Sequence, residues 1–194
     1  MAFLVTPVIP AGSLRAMDRP TLPVGGGRVL RPWRSGDAAA VVRVFQDPAI
    51  QRWHLRRADS EDEAREWIEQ WRDDWERETA CHWAVTDAVD DDRLLGKVSL
   101  RSLVLAGGQA EISYWTAPEA RGRGVCSRAV DRVARWAFDE AGFHRIELGH
   151  STANAASCRV AGRTGFAPEG VRRRALLHAD GWHDMHLHAR VGVN

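Results

Sequence analysis

A short stretch rich in glycine and arginine, RGRGVCSRA at residues 121–129, carries the chemistry of an anion-binding site. Gly122 and Gly124 have no side chain, so the backbone can come close to a ligand there. A helix-like pattern of apolar residues begins at Val125, and a helix N-terminus offers free N–H groups and a partial positive charge. The stretch therefore predicts a loop that binds a phosphate group.

The spacing of this loop argues against a nucleotide as its ligand. The pattern G-x-x-x-x-G-K-[ST] is absent, and G-x-G-x-x-G fails because Ser127 stands in place of its last glycine. A nucleotide-binding protein would also need a base pocket and a metal-binding carboxylate beside the loop, and the sequence indicates neither.

Composition and charge exclude several classes of protein. The chain has 194 residues and a formal net charge of +1, from 27 basic and 26 acidic side chains. No overall charge therefore draws it to nucleic acid or to an anionic membrane. Its three cysteines, Cys81, Cys126 and Cys158, are too widely spaced for a disulfide framework or a zinc site. No apolar run reaches the roughly 18 residues of a membrane-spanning helix, and we predict a reducing, cytoplasmic location.

The chain is predicted to form one domain at residues 20–194, preceded by a poorly ordered tail at residues 1–19. The tail is mildly apolar, but Pro7 and Pro10 interrupt it and it lacks a basic start, which argues against a signal peptide. A natural start at Met17 is an open alternative.

Hydrophobic periodicity predicts a mixture of strands and helices around one sheet, so the fold class is α/β (α+β). The predicted elements are a strand at 28–33, a helix at 37–46, a helix behind the capping box of Ser60 and Glu63, strands at 81–87, 94–104 and 109–116, a helix from Val125 to near Gly142, a strand at 144–150, a helix at 154–165, and a hairpin around Asp180-Gly181.

Three segments resemble one known family. Arg121-x-x-Gly124-x-Cys126 resembles [QR]-x-x-G-x-[GA], the acyl-CoA pyrophosphate loop of the GNAT N-acetyltransferase superfamily, with Cys126 in place of Gly or Ala. EISYWTAPEARGRG at 111–124 and NAASCRVAGRTGF at 154–166 are similar to segments of its RimJ/RimL-like members, the ribosomal-protein N-terminal acetyltransferase type. The resemblance extends over roughly residues 20–190.

The resemblance implies a GNAT fold, with a mixed, mostly antiparallel sheet whose central strands splay apart. It also implies an acyltransferase that moves an acetyl group from acetyl-CoA directly to a primary amine. The acceptor is a protein N-terminus or a small-molecule amine, and the sequence does not choose between them. A non-catalytic acyl-CoA-binding or sensor protein on the same fold is the main alternative, and a larger acyl group is open too.

The same resemblance assigns the cofactor site. The loop backbone would bind pyrophosphate, the end of the third meander strand would pair with pantetheine, and Asn154 and Ser157 would lie beside it. The cofactor-binding residues are then Tyr114, Trp115, Thr116, Arg121, Gly122, Arg123, Gly124, Val125, Cys126, Asn154 and Ser157.

Amine acetylation needs a base for the acceptor and a proton source for the leaving thiolate. By the same resemblance, the Ser157 hydroxyl is the expected proton source, although it could instead bond its own helix backbone. Glu111 is the first candidate base, because a carboxylate near the sheet centre is costly unless it is used or paired. A structural role as a carboxylate hydrogen-bonded to loop N–H groups is equally open. His150, at the end of a strand, is the second candidate base, and a partly exposed histidine without a catalytic role is the slightly favoured alternative.

The remaining candidate residues concern binding of the acceptor amine and binding of a metal. By resemblance, Trp67 and Trp71 border the acceptor channel, and Asp184 contacts the amine; core packing and a structural role are the alternatives. The run His183-x-x-His186-x-His188 could suggest a metal, but the chemistry needs none and no further ligands complete the set, so we predict no metal. A homodimer is left open.

Overall fold

The computed structural model describes residues 4–192, which form a mixed eight-stranded sheet with helices on its faces. The strands are β1 (Leu22–Pro23), β2 (Arg28–Arg31), β3 (Cys81–Asp87), β4 (Leu94–Val104), β5 (Gln109–Thr116), β6 (Arg145–Ser151), β7 (Ala167–His178) and β8 (Gly181–Val191). The helices are α1 (Ser13–Ala16), α2 (Ala38–Phe45), α3 (Pro48–Gln51), α4 (Glu61–Glu76), α5 (Val125–Asp139) and α6 (Ala155–Arg163).

The strand order across the sheet is β1-β2-β3-β4-β5-β6-β8-β7, and every neighbouring pair is antiparallel except β5 and β6. The predicted meander is β3, β4 and β5, and the predicted hairpin is β7 and β8. The predicted fold class is therefore confirmed.

The two parallel strands part in the middle of the sheet. They pair at only three positions, the last being Glu111 with Glu147. From there β5 keeps β4 on one edge and leaves β6 on the other, although both strands continue for several residues. This separation opens a gap through the sheet, as the resemblance implies.

Local signals in the sequence fix where the helices begin. The hydroxyl of Ser60 accepts the backbone N–H of Glu63 at 3.2 Å and starts α4. The Glu63 carboxylate accepts the N–H of Asp59 rather than that of Ser60, so the capping box is shifted by one residue. The side-chain oxygen of Asn154 accepts the N–H of Ser157 at 3.1 Å and starts α6.

The N-terminal segment before residue 20 packs against the core over its described part. Residues 1–3 lie outside the described residues, but Ile9 and Leu14 are fully buried in the core. The Glu78 carboxylate accepts the backbone N–H groups of Gly12 at 2.6 Å and Leu14 at 2.8 Å, which anchors α1. Periodicity over so short a segment could not reveal these distant partners. The domain boundary at residue 20 stays a prediction.

Part of the tryptophan content forms a core cluster. Trp75 of α4, Trp83 of β3 and Trp136 of α5 are buried, with ring centroids 5.1 to 5.9 Å apart. Aromatic rings in edge and tilted contacts of this kind stabilise a core beyond their buried area. Among residues 4–192, no helix is long and apolar enough to cross a membrane.

Candidate active site

Two cavities meet at the gap between β5 and β6. The first, which we name the loop cavity, has a volume of about 490 Å³ and is lined by the glycine-arginine loop, β5 and α6. The second, the aromatic cavity, has a volume of about 540 Å³ and is lined by α4, β3, β4 and β7, among other elements. Both are lined by Trp53, His54, Tyr114, Trp115, Asn154 and Ser157. A ligand lying through the gap would therefore touch both.

The loop has the backbone geometry of an anion site. Gly122 and Gly124 have φ of +73° and +67°, a region that favours glycine. Gly124 is the N-cap of α5, and no side chain caps that helix. The first N–H groups of a fifteen-residue helix therefore face the loop cavity without a side-chain acceptor.

Arginines surround the loop, and their partners hold it in place. The Arg121 guanidinium forms an ion pair with Asp47, the residue that caps α3. The Arg128 guanidinium donates to the carbonyl of Arg123 at 2.7 Å. Arg159 and Arg163 of α6 also line the loop cavity, and no Asp or Glu does so among the described residues. The cavity is therefore electropositive.

Most of the predicted cofactor residues lie together. All of them except Arg123 line the loop cavity, including the backbone of β5 from Tyr114 to Thr116. Burial raises the pKa of Cys126 to about 12, so its thiol is protonated near neutral pH. Cys126 therefore fills the family's Gly or Ala position as a small neutral side chain.

Tyr114 carries a hydroxyl that the sequence analysis did not use. Its Oη is buried and has no hydrogen-bond partner among the described residues. Burial raises its pKa above the ordinary value for tyrosine, so the phenol stays protonated. The Ser157 hydroxyl is close enough to oppose this shift in the pKa of Tyr114. Both residues line the junction of the cavities, so two adjacent hydroxyls lie where a bound molecule would pass.

Glu111 lies outside the lining of both cavities. Its carboxylate accepts a hydrogen bond from Arg101 at 2.6 Å, and it is the last residue of β5 to pair with β6. For a structural role of Glu111, the sequence suggested loop N–H groups as partners, whereas the observed partner is Arg101. Only tertiary pairing of β4 with β5 brings the two side chains together.

His150 lines the aromatic cavity, but its ring is engaged elsewhere. Its Nδ1 lies 2.8 Å from the Ser151 carbonyl and its Nε2 lies 3.2 Å from Nε2 of His188. Burial, together with His188 and His186, lowers the pKa of His150. The neutral ring thus donates from Nδ1 and directs its Nε2 lone pair at His188.

Of the three residues predicted to bind the acceptor, two line the aromatic cavity and one does not. Trp67 and Trp71 both line the aromatic cavity. Asp184 does not: its Oδ1 accepts the N–H of Arg174 at 2.8 Å, at an irregularity of β7 where Arg174 has φ of +47°. The structure therefore shows a structural partner for Asp184.

Lys97 of β4 was missed by the sequence analysis. Its Nζ lies 3.5 Å from the ring centroid of Trp71, and it lines the aromatic cavity. Burial, reinforced by Arg101 and opposed by Asp74, lowers the pKa of Lys97 to about 7. One lysine in a strand gives no sequence signal of this, because the shift arises from α4 covering the strand.

His82 completes this side of the aromatic cavity. Its Nδ1 lies 2.7 Å from Oγ of Ser99, and its Nε2 lies 3.2 Å from Oδ2 of Asp74. Burial lowers the pKa of His82 to about 2, with Lys97 and Arg101 contributing. The ring is therefore neutral at every working pH.

Known proteins resemble both the sequence and the fold. The chain is 34% identical over 121 residues to the Bacillus subtilis protein named probable N-acetyltransferase YjcK; the match covers 62% of this chain and 66% of YjcK, just under two thirds of that relative. It is 26% identical over 164 residues to the uncharacterized N-acetyltransferase YoaA of the same organism, covering 84% of this chain and 92% of YoaA.

Among solved structures, RimL, a ribosomal L7/L12 alpha-N-protein acetyltransferase in complex with coenzyme A, superposes with a TM-score of 0.82 at 21% identity, covering 89% of this chain and 98% of RimL. At that identity the likeness concerns the fold. The family model described as an acetyltransferase (GNAT) domain matches residues 28–167, well over half of the chain. The chain therefore belongs to the GNAT acetyltransferase family.

Proposed function

We propose that this protein is an acetyl-CoA-dependent N-acetyltransferase that transfers an acetyl group directly to a primary amine. The observation that carries the proposal is the gap between β5 and β6, with an electropositive glycine loop on one side and a separate aromatic cavity on the other. One cavity suits an anionic carrier and the other a second substrate.

The loop cavity fits coenzyme A in several respects. The uncapped first turn of α5 and the arginines at 121, 159 and 163 would bind phosphate groups. The open edge of β5 at Tyr114, Trp115 and Thr116 offers backbone groups with which pantetheine could pair. Asn154, which caps α6, would orient that arm. When bound, acetyl-CoA supplies an acetyl group activated as a thioester.

Two hydroxyls at the junction would hold the proton that a leaving thiolate needs. The buried Oη of Tyr114 is one, and the neighbouring Ser157 hydroxyl is the other. Both line the two cavities at their meeting point. The protonated thiol of Cys126 is a poor nucleophile, which supports direct transfer over an acyl-cysteine intermediate.

Lys97 is the base that the cavity lining supports best. With its pKa lowered to about 7, its Nζ is an unprotonated amine in a large fraction of molecules at neutral pH. It could accept the proton that the acceptor amine must lose. Glu111, paired with Arg101, and His150, facing His188, are less available, and their roles as base stay predictions.

The charges that line the aromatic cavity also narrow the range of amines that could be the acceptor. No Asp or Glu of the described residues lines this cavity. Of its basic side chains, Arg56 is charged and Arg101 is already paired with Glu111. Lys97 is neutral when it acts as the base. A polyamine or an aminoglycoside would bring several positive charges with nothing to neutralise them. We therefore favour an acceptor that is neutral or anionic around its amine, such as an acidic or apolar peptide N-terminus. The aromatic side chains Trp53, Trp67 and Trp71 would pack against it.

The test is acetyl-CoA binding by calorimetry, followed by thiol release with a panel of amines. The panel pairs an N-terminal peptide rich in glutamate with its lysine-rich counterpart, and adds free amino acids, a polyamine and an aminoglycoside. Binding and release with an uncharged or acidic acceptor would support the proposal. Binding without release from any acceptor would favour the sensor alternative, and no binding would refute the cofactor assignment. The cytoplasmic location stays a prediction.

A further inference from the structure

Three histidines converge on one face of the sheet where β6 pairs with β8. His150 of β6 is the register partner of His186 of β8, and His188 follows two residues later on the same face. One ring nitrogen from each of the three lies within 4.8 Å of those of the other two. His150 and His188 are about 5% and 6% exposed, and His186 is half-buried.

Hydrogen bonding within the described residues satisfies this cluster only in part. His150 donates from Nδ1 to the Ser151 carbonyl, and its Nε2 faces Nε2 of His188. The Nδ1 atoms of His186 and His188 are buried and without a partner. No carboxylate of the described chain forms an ion pair with any of the three. Buried polar atoms without partners are costly, so the arrangement calls for a ligand.

We propose that His150, His186 and His188 bind a transition-metal ion of the zinc type, through one ring nitrogen each. A tetrahedral zinc ion with Zn–N bonds of about 2.0–2.1 Å needs nitrogens roughly 3.3 Å apart. The 3.2 Å between Nε2 of His150 and Nε2 of His188 is close to this spacing, and a ring nitrogen of His186 lies within 4.8 Å of both.

The surroundings of His150 fit a metal ligand in a second way. Metal-binding imidazoles commonly donate their other N–H to a carbonyl or carboxylate, which fixes the tautomer. The bond from His150 Nδ1 to the Ser151 carbonyl does this and leaves Nε2 for a metal. Three imidazoles with no carboxylate favour zinc, cobalt, nickel or copper over magnesium or calcium.

The proposed site differs from the histidine run noted in the sequence, because it contains His150 in place of His183. Both ring nitrogens of His183 already have partners: Nδ1 lies 2.7 Å from Oγ of Ser151, and Nε2 lies 2.8 Å from Oδ1 of Asp180. His150, distant in the chain, takes its place. A metal bound here would join β6 to β8 in the region where β6 has left β5. It would therefore stabilise one wall of the gap, and this role does not depend on acetyl transfer.

The experiment uses the full, untagged chain after removal of metals with a chelator. Titration with Co²⁺ should give one equivalent bound and a visible absorption typical of four-coordinate cobalt, which Zn²⁺ displaces. We expect zinc to bind with a Kd of about 1 μM or tighter and to raise the Tm. These wild-type measurements test the site even if a variant fails to fold.

The variants His186→Gln and His188→Gln should each weaken zinc binding at least about tenfold. His144→Gln is the matched control, since His144 is exposed and lies outside the cluster, and its zinc affinity should be unchanged. Unaltered affinity in both cluster variants would overturn the proposal, as would the absence of the cobalt absorption in the wild-type chain.

Discussion

The two cavities that meet at the splayed strands are built in different ways. The loop cavity depends on backbone conformation and on a run of consecutive residues, Arg121 to Ser127, at one helix end. The aromatic cavity is assembled from side chains of many elements that are distant in the chain. Binding of a common carrier can therefore be encoded locally, whereas the acceptor environment arises from tertiary packing.

The most complete loss of function is expected in the loop cavity, because a chain that cannot bind acetyl-CoA cannot turn over at all. Gly124→Glu should weaken acetyl-CoA binding at least about 100-fold, because it adds bulk and negative charge at an uncapped helix N-terminus. A Cβ at this position would also lie 3.0 Å from the Arg128 guanidinium. Calorimetry measures the affinity.

The matched control for the loop is Gly142→Glu. Gly142 has φ of +80° and lies just beyond the opposite end of α5, where an added Cβ would meet only Ile9 at 3.7 Å, so this variant shares the backbone strain without touching the loop. Equal losses of acetyl-CoA affinity in both variants would mean that strain, and not anion repulsion, is responsible.

In the aromatic cavity the largest effect is expected from Lys97→Met. Loss of a general base should lower turnover about 10²- to 10⁴-fold and leave acetyl-CoA affinity unchanged. The wild-type rate should fall as the pH drops below about 7, because Lys97 is then protonated and cannot accept a proton. The variant, assayed with the same acceptor, should lack this inflection. An identical pH profile in both proteins would remove Lys97 as the base.

Substitutions at the junction of the two cavities should lower turnover less than Lys97→Met does. Ser157→Ala and Tyr114→Phe should each lower turnover about tenfold, since each removes one of two proton sources, with little change in acetyl-CoA affinity. Ser113→Ala is the control, because Ser113 lines only the aromatic cavity. Full activity of the Ser157→Ala and Tyr114→Phe double variant would show that the proton comes from elsewhere.

The smallest effect is expected at Glu111. Glu111→Gln breaks a partly exposed ion pair with Arg101, which is worth about 1 kcal/mol or less, so turnover should change less than about threefold. Glu147→Gln, at the register partner that bonds Arg145, is the control. A 100-fold loss confined to Glu111→Gln would restore Glu111 as the base.

Local patterns were sufficient for much of the fold. The helix starts at Ser60 and Asn154, the meander of β3 to β5 and the turn at Asp180-Gly181 follow from caps, alternation and turn residues that interact over short distances. The burial of Ile9 and Leu14 was not predicted, because their partners, such as Glu78, lie more than sixty residues away.

The sequence by itself determined the glycine loop, its place before α5 and the resemblance to the acetyltransferase family, because backbone freedom and helix ends depend on neighbouring residues. Only the tertiary structure decided which side chains share the aromatic cavity. The pKa of Lys97 depends on the cover of Trp71, the partner of Glu111 depends on strand register, and the three histidines meet because β6 pairs with β8. The pKa and the partners of a side chain depend on the groups around it, and for these residues those groups come together only in the folded chain.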